Sequence, residues 1–172
     1  MSSWNSELFY SVDQGGERQN FKDPVVNTTA GITRVFHFDM VEGNETALDQ
    51  PETAIIPESM AHRLFGNESA IGKRLMGAES ENTLATISGV FKDFPRNSSV
   101  RNIIYRRMSD KENYNEYGNQ NYFFFFRLDD PSNIEVVKEN FKKNFDASQQ
   151  CGKDFKWEQD GIELMMTRLT KL

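Results

Sequence analysis

The chain has 172 residues, 37% of them hydrophobic and 12% aromatic, which suffices for one ordinary domain or two small lobes sharing a core. Its net charge of -6, with no basic cluster longer than "RNIIYRR", excludes the cationic surface needed to grip a nucleic-acid backbone. A single cysteine, Cys151, excludes an intrachain disulfide and any multi-thiolate zinc site and leaves the redox compartment open.

The start, "MSSWNSELFYSV", lacks the basic and apolar stretches of a signal peptide. The longest apolar run, residues 122–126, is far below the ~20 residues that cross a bilayer, so the sequence reads as a soluble protein or a soluble piece of a larger one. Within the first thirty residues only "ELFYSV" is strand-like, while "DQGGERQN" and "NTTAG" read as turns and loops. "VFHFDMVEG" predicts a strand that Gly43 stops, and "ETALDQPE" an acidic loop. Ala54 to Ile56 predict a short buried strand. Pro57 suits the first turn of a helix carrying Met60, Ala61, Leu64 and Phe65 on one face, with Gly66 as its left-handed C-cap.

"NESAIGKRL" then reads as a connection that places Ile71 in the core. "TLATISGVFKDFP" alternates as a strand, with Pro95 as its stop, and "SSVRNIIYRRM" predicts another. "DKENYNEYGNQN" is a polar loop, and "YFFFFRL" predicts a strand buried on both faces. Ser132 as N-cap, with Glu135 completing a capping box, predicts a helix over residues 132–147 whose apolar face carries Ile134, Val137, Phe141 and Phe145. "GIELMMTRL" predicts a last strand. Strands and helices mix without regular alternation, so the fold class is α+β rather than a doubly wound sheet.

No group of residues assembles into an active site. His37 and His62 have no HExxH pairing, and a metal or acid–base role needs further ligands or a partner carboxylate. Ser59 and Ser98 lie outside any G-x-S-x-G elbow, and the pairs Asp129–Asp130 and Glu79–Glu81 read as hydrated loop carboxylates. Met165 and Met166 are adjacent in a strand pattern and point to opposite faces, which argues against a shared soft-metal site. Sequons at Asn27, Asn44, Asn67 and Asn97 read as turn residues. The stretch "HRLFGNESAIGKRL" invites comparison with a phosphate loop. Five residues rather than four separate Gly66 from Gly72, and Arg74 follows Lys73 where a Ser or Thr should hold magnesium, so the requirements of such a loop are not met. No catalytic residue, cofactor or metal is therefore expected.

The order "VFHFDMVEGNETALDQPETAIIPESMAHRLFGNESAIGKRL" followed by "TISGVFKDFPRNSS" resembles the MacB-like periplasmic core domain of FtsX/MacB-type ABC transporter permeases, in the form abundant in Bacteroidetes. The signature residues are Gly43, Leu64, Phe65, Gly66, Ile71, Gly72, Lys73, Gly89, Val90, Asp93, Pro95 and Asn97, and the likeness covers residues 35–99 most fully. Pro57 stands where the family pattern has Ser. The resemblance implies a two-lobed α+β domain with mixed or antiparallel sheets: a membrane-near lobe of residues 1–34 plus 96–172 and an inserted, mostly β lobe of residues 35–95. It implies a non-catalytic domain exposed to the periplasm from the cell inner membrane, relaying ATP-driven motion or contacting substrate there. Its partners would be transmembrane helices of the same permease, a cytoplasmic ATPase, and a second permease copy or periplasmic adaptor. Both chain ends should then lie on one side, with residues 65–72 at the far end. The alternative is a free-standing periplasmic binding module or lipoprotein-like enzyme.

Overall fold

The structure, a computed structural model, describes residues 6–108 and 123–144. By internal contacts the chain forms two compact units, Met1–Glu112 with Asn121–Phe124, and Asn113–Gln120 with Phe125–Leu172. The first is built on seven strands: β1 (Ser6–Gln14), β2 (Glu17–Thr28), β3 (Met40–Glu42), β4 (Thr53–Pro57), β5 (Arg74–Gly77), β6 (Thr83–Phe91) and β7 (Ile104–Arg107), with short helix α1 (Ile32–Val35) and helix α2 (Glu58–Phe65). Their order is β3-β6-β4-β7-β2-β1-β5, and β5 pairs back onto β6, so six strands close into a small barrel with β3 appended outside. Closure leaves few unpaired backbone groups at an edge. The pairs β2–β7 and β4–β6 are parallel and the rest antiparallel, a mixed sheet of the expected α+β class. Strands from 6–28 and 104–107 share this sheet with those from 40–91.

The first strand forms where "ELFYSV" predicts it, with Leu8, Tyr10 and Val12 turned inward at period two. "ERQN", read as turn, instead opens β2: the Gly15–Gly16 pair makes a two-residue hairpin turn, both glycines at positive φ, and Gln14 pairs with Glu17 at once. Residues 17–20 are exposed, so no apolar period marks them as strand. "VFHF" is likewise not a strand. Val35 ends α1, whose Phe36 N–H closes on Ile32 C=O, and Phe36 and Phe38 are buried from irregular backbone before β3 begins. Gly43 does follow the strand, at φ 77°. Pro57 is the N-cap of α2 rather than a residue of its first turn, and Gly66 caps the other end at φ 62°, ψ -121°, positive but outside the left-handed helical basin. "RLMG" forms β5, a strand the sequence reading passes over.

The barrel interior is one cluster, in which Tyr10, Val12, Val25, Ile56, Leu75, Ala85, Ile87 and Ile104 meet Met60, Ala61 and Leu64 of α2. A polar contact ties the helix to the hairpin. The fully buried Tyr10 hydroxyl donates to Asp23 Oδ2 at 2.6 Å, and Arg63 donates to both Asp23 oxygens at 2.7 Å while lying over the Phe21 ring. Asp23 thus breaks the apolar period of β2 without leaving a charge unpaired. Burial, then the Asp23 hydrogen bond and charge, hold the Tyr10 phenol well above its usual range, and burial pushes Tyr105 up to about 12. A raised phenol pKa stabilises the fold fully below the unfolded value of about 10, and that contribution is lost as pH rises toward and through the folded value. The urea midpoint should therefore fall between pH 10 and 12, and less steeply in Tyr105→Phe; parallel profiles would contradict this.

A second cluster covers the other side of β6 and β7. Phe38 meets Phe91, Phe94 and Tyr105 edge-on, with centroids 5.0, 5.2 and 5.4 Å away. In the second unit a 3-10 turn, Pro131–Asn133, leads into α3 (Ile134–Asn144). The cap is Asp130, whose Oδ1 accepts from Ser132 N–H at 2.8 Å, and not Ser132, because Pro131 starts the turn one residue earlier. Ile134, Val137 and Phe141 form the half-buried face, as the period predicts. "YFFFFRL" does not become the expected buried strand: residues 123–128 belong to no strand, and Phe123, Phe124 and Phe126 are 54%, 76% and 65% exposed. The polar loop expected at residues 110–121 and the strand expected at residues 161–169, with Phe145, Cys151, Met165 and Met166, lie outside the described residues.

Candidate functional site

The signature loop lies at one end of the barrel. Strand β1 runs from Ser6, beside Val25, to Gln14 at the hairpin tip, a span of roughly 27 Å at ~3.4 Å per residue. At the tip Gln14 Nε2 donates to Leu64 C=O, which seats residues 65–73 beside the hairpin. Between them runs a groove of about 640 Å³ bordered by Asp13, Arg18, Phe65, Lys73, Arg74 and Met76. Lys73 bonds Glu68 at 2.7 Å and lies over the Phe65 ring. Arg18 bonds Ser11 Oγ, Glu81 and the carbonyls of Gly77 and Ser80, so its guanidinium clamps β1, β2 and the β5–β6 turn together. The groove's charges are mostly satisfied within it.

The loop's amides have structural duties. Gly72 N–H donates to Ile87 C=O at 2.8 Å, Ile87 N–H donates to Lys73 C=O, and Lys73 N–H donates to Ala70 C=O. They extend the β5–β6 pairing backwards instead of converging on a common point, as a phosphate cradle requires. Ala70, fully buried, is the residue that enters the core; Ile71 is 43% exposed, against expectation. Gly72 holds φ 80° with open space where a Cβ would stand, so Gly72→Val strains the backbone without a clash. The expected loss is about 1–3 kcal/mol, read as a lower thermal midpoint.

The remaining signature residues work elsewhere. Gly43 and Gly89 let the turn after β3 lie against β6, and Val90 is buried beside them. Asp93 Oδ1 accepts from Ser59 N–H at 3.2 Å, so a residue beyond β6 caps the first turn of α2, which Pro57 cannot cap by side chain. Pro95 C=O accepts from Ser98 N–H in the following turn, and Asn97 is exposed. The structure thus divides the signature among the far loop, the β3–β6 contact and the helix cap. His62 Nδ1 lies 3.0 Å from Gly66 C=O and its Nε2 4.0 Å from Glu58, a helix-end arrangement, and His37 is exposed. Among the described residues no group of three or more His, Cys, Asp or Glu is arranged to hold a metal. Asn44 makes the turn its sequon suggested, its Oδ1 accepting from Thr46 N–H, and Asn27 receives Arg106 Nε.

The residues that sequence reading missed are Arg18, Asp23 and Arg63. Each is a charge whose partner is 40 to 63 positions away, so no local spacing marks it.

The model of the MacB-like periplasmic core domain matches residues 2–144. No curated protein matches the chain. Among solved structures, a domain of a permease protein from Porphyromonas gingivalis is similar at 24% identity and TM-score 0.59, over 85% of this chain and 66% of that one. The periplasmic region of MacB from Actinobacillus actinomycetemcomitans gives 17% identity, TM-score 0.42 and 60% and 45% coverage. The extracellular domain of the ABC-type transporter YknZ from Gram-positive bacteria gives 20%, 0.38, 59% and 50%. The chain spans just under two thirds of the first of these and about half of the other two.

Proposed function

We propose, since the chain belongs to the MacB-like periplasmic core domain family, that it is a non-catalytic relay in an ABC transporter permease, carrying motion driven by a cytoplasmic ATPase outward across the periplasm. Transmembrane helices of the same permease would anchor it in the cell inner membrane, and a second permease copy or a periplasmic adaptor would meet its far end.

The observation that carries this reading is the polarity of the barrel. Ser6, where the chain enters β1, and Ile104 of β7 both flank Val25, on opposite sides of β2. At ~4.8 Å per strand they stand about 10 Å apart. Because β7 runs parallel to β2, its exit at Arg107 lies beside Thr28, still farther toward that same end. The other chain end expected on that side, residues 161–169, lies outside the described residues. The hairpin tip and residues 65–73 occupy the opposite end, and α2, pinned by Arg63 and Gln14, makes the body between them stiff.

The test is a distance measurement in the full-length permease with its ATPase. Spin labels at the exposed Asn67 of two copies should give different distance distributions without nucleotide and with a trapped ATP transition state. Identical distributions would refute the relay, and a reading frame without apolar helices of ~20 residues flanking residues 1–172 would refute the permease.

A further inference from the structure

We propose that the groove at the far end of the barrel binds an extended, acidic segment of a partner protein, which takes up the strand pairing that β1 and β5 leave off. The groove's geometry does not depend on the relay reading, so its failure and the relay's are separate results.

The barrel closes between β1 and β5 over only two residue pairs, Tyr10 with Gly77 and Ser11 with Met76. Strand β1 runs on to Gln14 and β5 begins at Arg74, so in register Asp13 would face Arg74, yet these two are not paired. The backbone at both positions is turned to the gap. Along β1, Gln14 pairs with Glu17 across a two-residue turn, which sets Gln14, Val12 and Tyr10 to bond β2 and leaves Asp13 and Ser11 facing the other way. Along β5, Lys73 C=O accepts from Ile87 N–H of β6, so the next residue, Arg74, turns its N–H and C=O away from β6. The groove of about 640 Å³ lies in this opening, with Asp13 and Arg74 both in its lining and every lining residue in the first unit. Unpaired strand edges on either side of a groove of that size suit an added strand, held by its main chain.

The side chains narrow the occupant further. Val12, Phe65 and Met76 give the groove apolar surface, so alternate residues of an incoming strand have something to pack on. Arg18 is paired with Glu81 and Lys73 with Glu68, and the Asp13 carboxylate accepts from Gly16 N–H inside the hairpin turn. Arg74 is the exception: it is exposed and has no carboxylate partner among the described residues. An acidic residue set opposite Arg74 in the added strand supplies that partner and fixes the register.

Hydrogen exchange followed by mass spectrometry tests this on the full-length chain in detergent micelles. The probe is a blocked heptapeptide alternating valine and glutamate, with two controls: the same peptide with lysine for glutamate, and the same acidic peptide N-methylated at every residue. The amides of Asp13 and Arg74 should exchange rapidly in the chain alone and several-fold more slowly with the acidic peptide at millimolar concentration, and neither control should protect them. Arg74→Glu should reverse the preference to the lysine peptide without changing the melting temperature, and Asp13→Asn should strengthen protection by the acidic one. Slow exchange at both amides without peptide would overturn the proposal, and protection that rises with protein concentration would overturn it in favour of a second copy as the occupant. Equal protection by the N-methylated peptide would rule out strand pairing. Equal protection by the lysine peptide, or a preference that survives Arg74→Glu, would rule out the acidic partner, and no protection by any peptide would rule out the site. Spin-label distances that do not change with nucleotide defeat the relay and leave these results standing.

Discussion

Phe91→Ala should destabilise the barrel by about 3–5 kcal/mol, the range for removing a fully buried aromatic ring. Phe91 has no exposed surface and ends β6, where it pairs with Pro57 of β4 on one side and Met40 of β3 on the other. Its ring lies 5.0 Å from Phe38, 5.7 Å from Phe94 and 5.9 Å from Tyr105. Hydrogen-bonded neighbours on both sides prevent the backbone from collapsing into the space, so the cavity term adds to the lost transfer energy. Urea unfolding should show a lower midpoint with an unchanged slope. A loss below about 1 kcal/mol would mean that the Phe38 loop refills the site.

The second large effect concerns Gly43→Val. At φ 77° any side chain is strained, and a Cβ there would stand 2.5 Å from the Ser88 carbonyl oxygen and 3.1 Å from Gly89 Cα. Both obstacles are backbone of β6, a strand paired on either edge, so the turn after β3 must move outward. That separates Met40 from Gly89, beside which its terminal methyl now packs. We expect a loss of about 3 kcal/mol or more, with Gly43→Ala nearly as costly because the clash begins at Cβ. Gly72→Val is the control: a similar φ with open space should cost visibly less. Equal losses at the two sites would show that strain, and not the close approach to Ser88, sets the requirement.

Strands β1, β4 and β6 and helix α2 were legible because each sets a single apolar period against one core. Period failed wherever burial came from something other than a regular face. Phe36 and Phe38 alternate like strand residues but are buried from irregular backbone, Phe38 held there by edge-on ring contacts. Residues 17–20 are strand by pairing alone, and Asp23 replaces an apolar residue because Tyr10 and Arg63 satisfy it. Ala70 rather than Ile71 enters the barrel, so the smaller of two adjacent apolar residues is the buried one. The far groove was illegible for a further reason. Its residues come from the β1–β2 tip and from positions 65–81, which only barrel closure brings together. The signature residues were found by resemblance, and several of them turn out to have a physical role, with Asp93 acting as a remote helix cap and Gly43 and Gly89 as points of close approach.

The place of β7 between β2 and β4 sets the order in which a ribosome and a secretion channel can deliver a finished barrel. Asn27 and its partner Arg106 are 79 positions apart, and β7 is the last of the seven strands to emerge. The hairpin β1–β2 can form early from local contacts, but β2 keeps an open edge until residue 107 has passed the membrane. Through that interval the nascent chain offers a ready template for pairing with a neighbour's hairpin, so the risk of mispairing is greatest while the middle of this chain is still emerging.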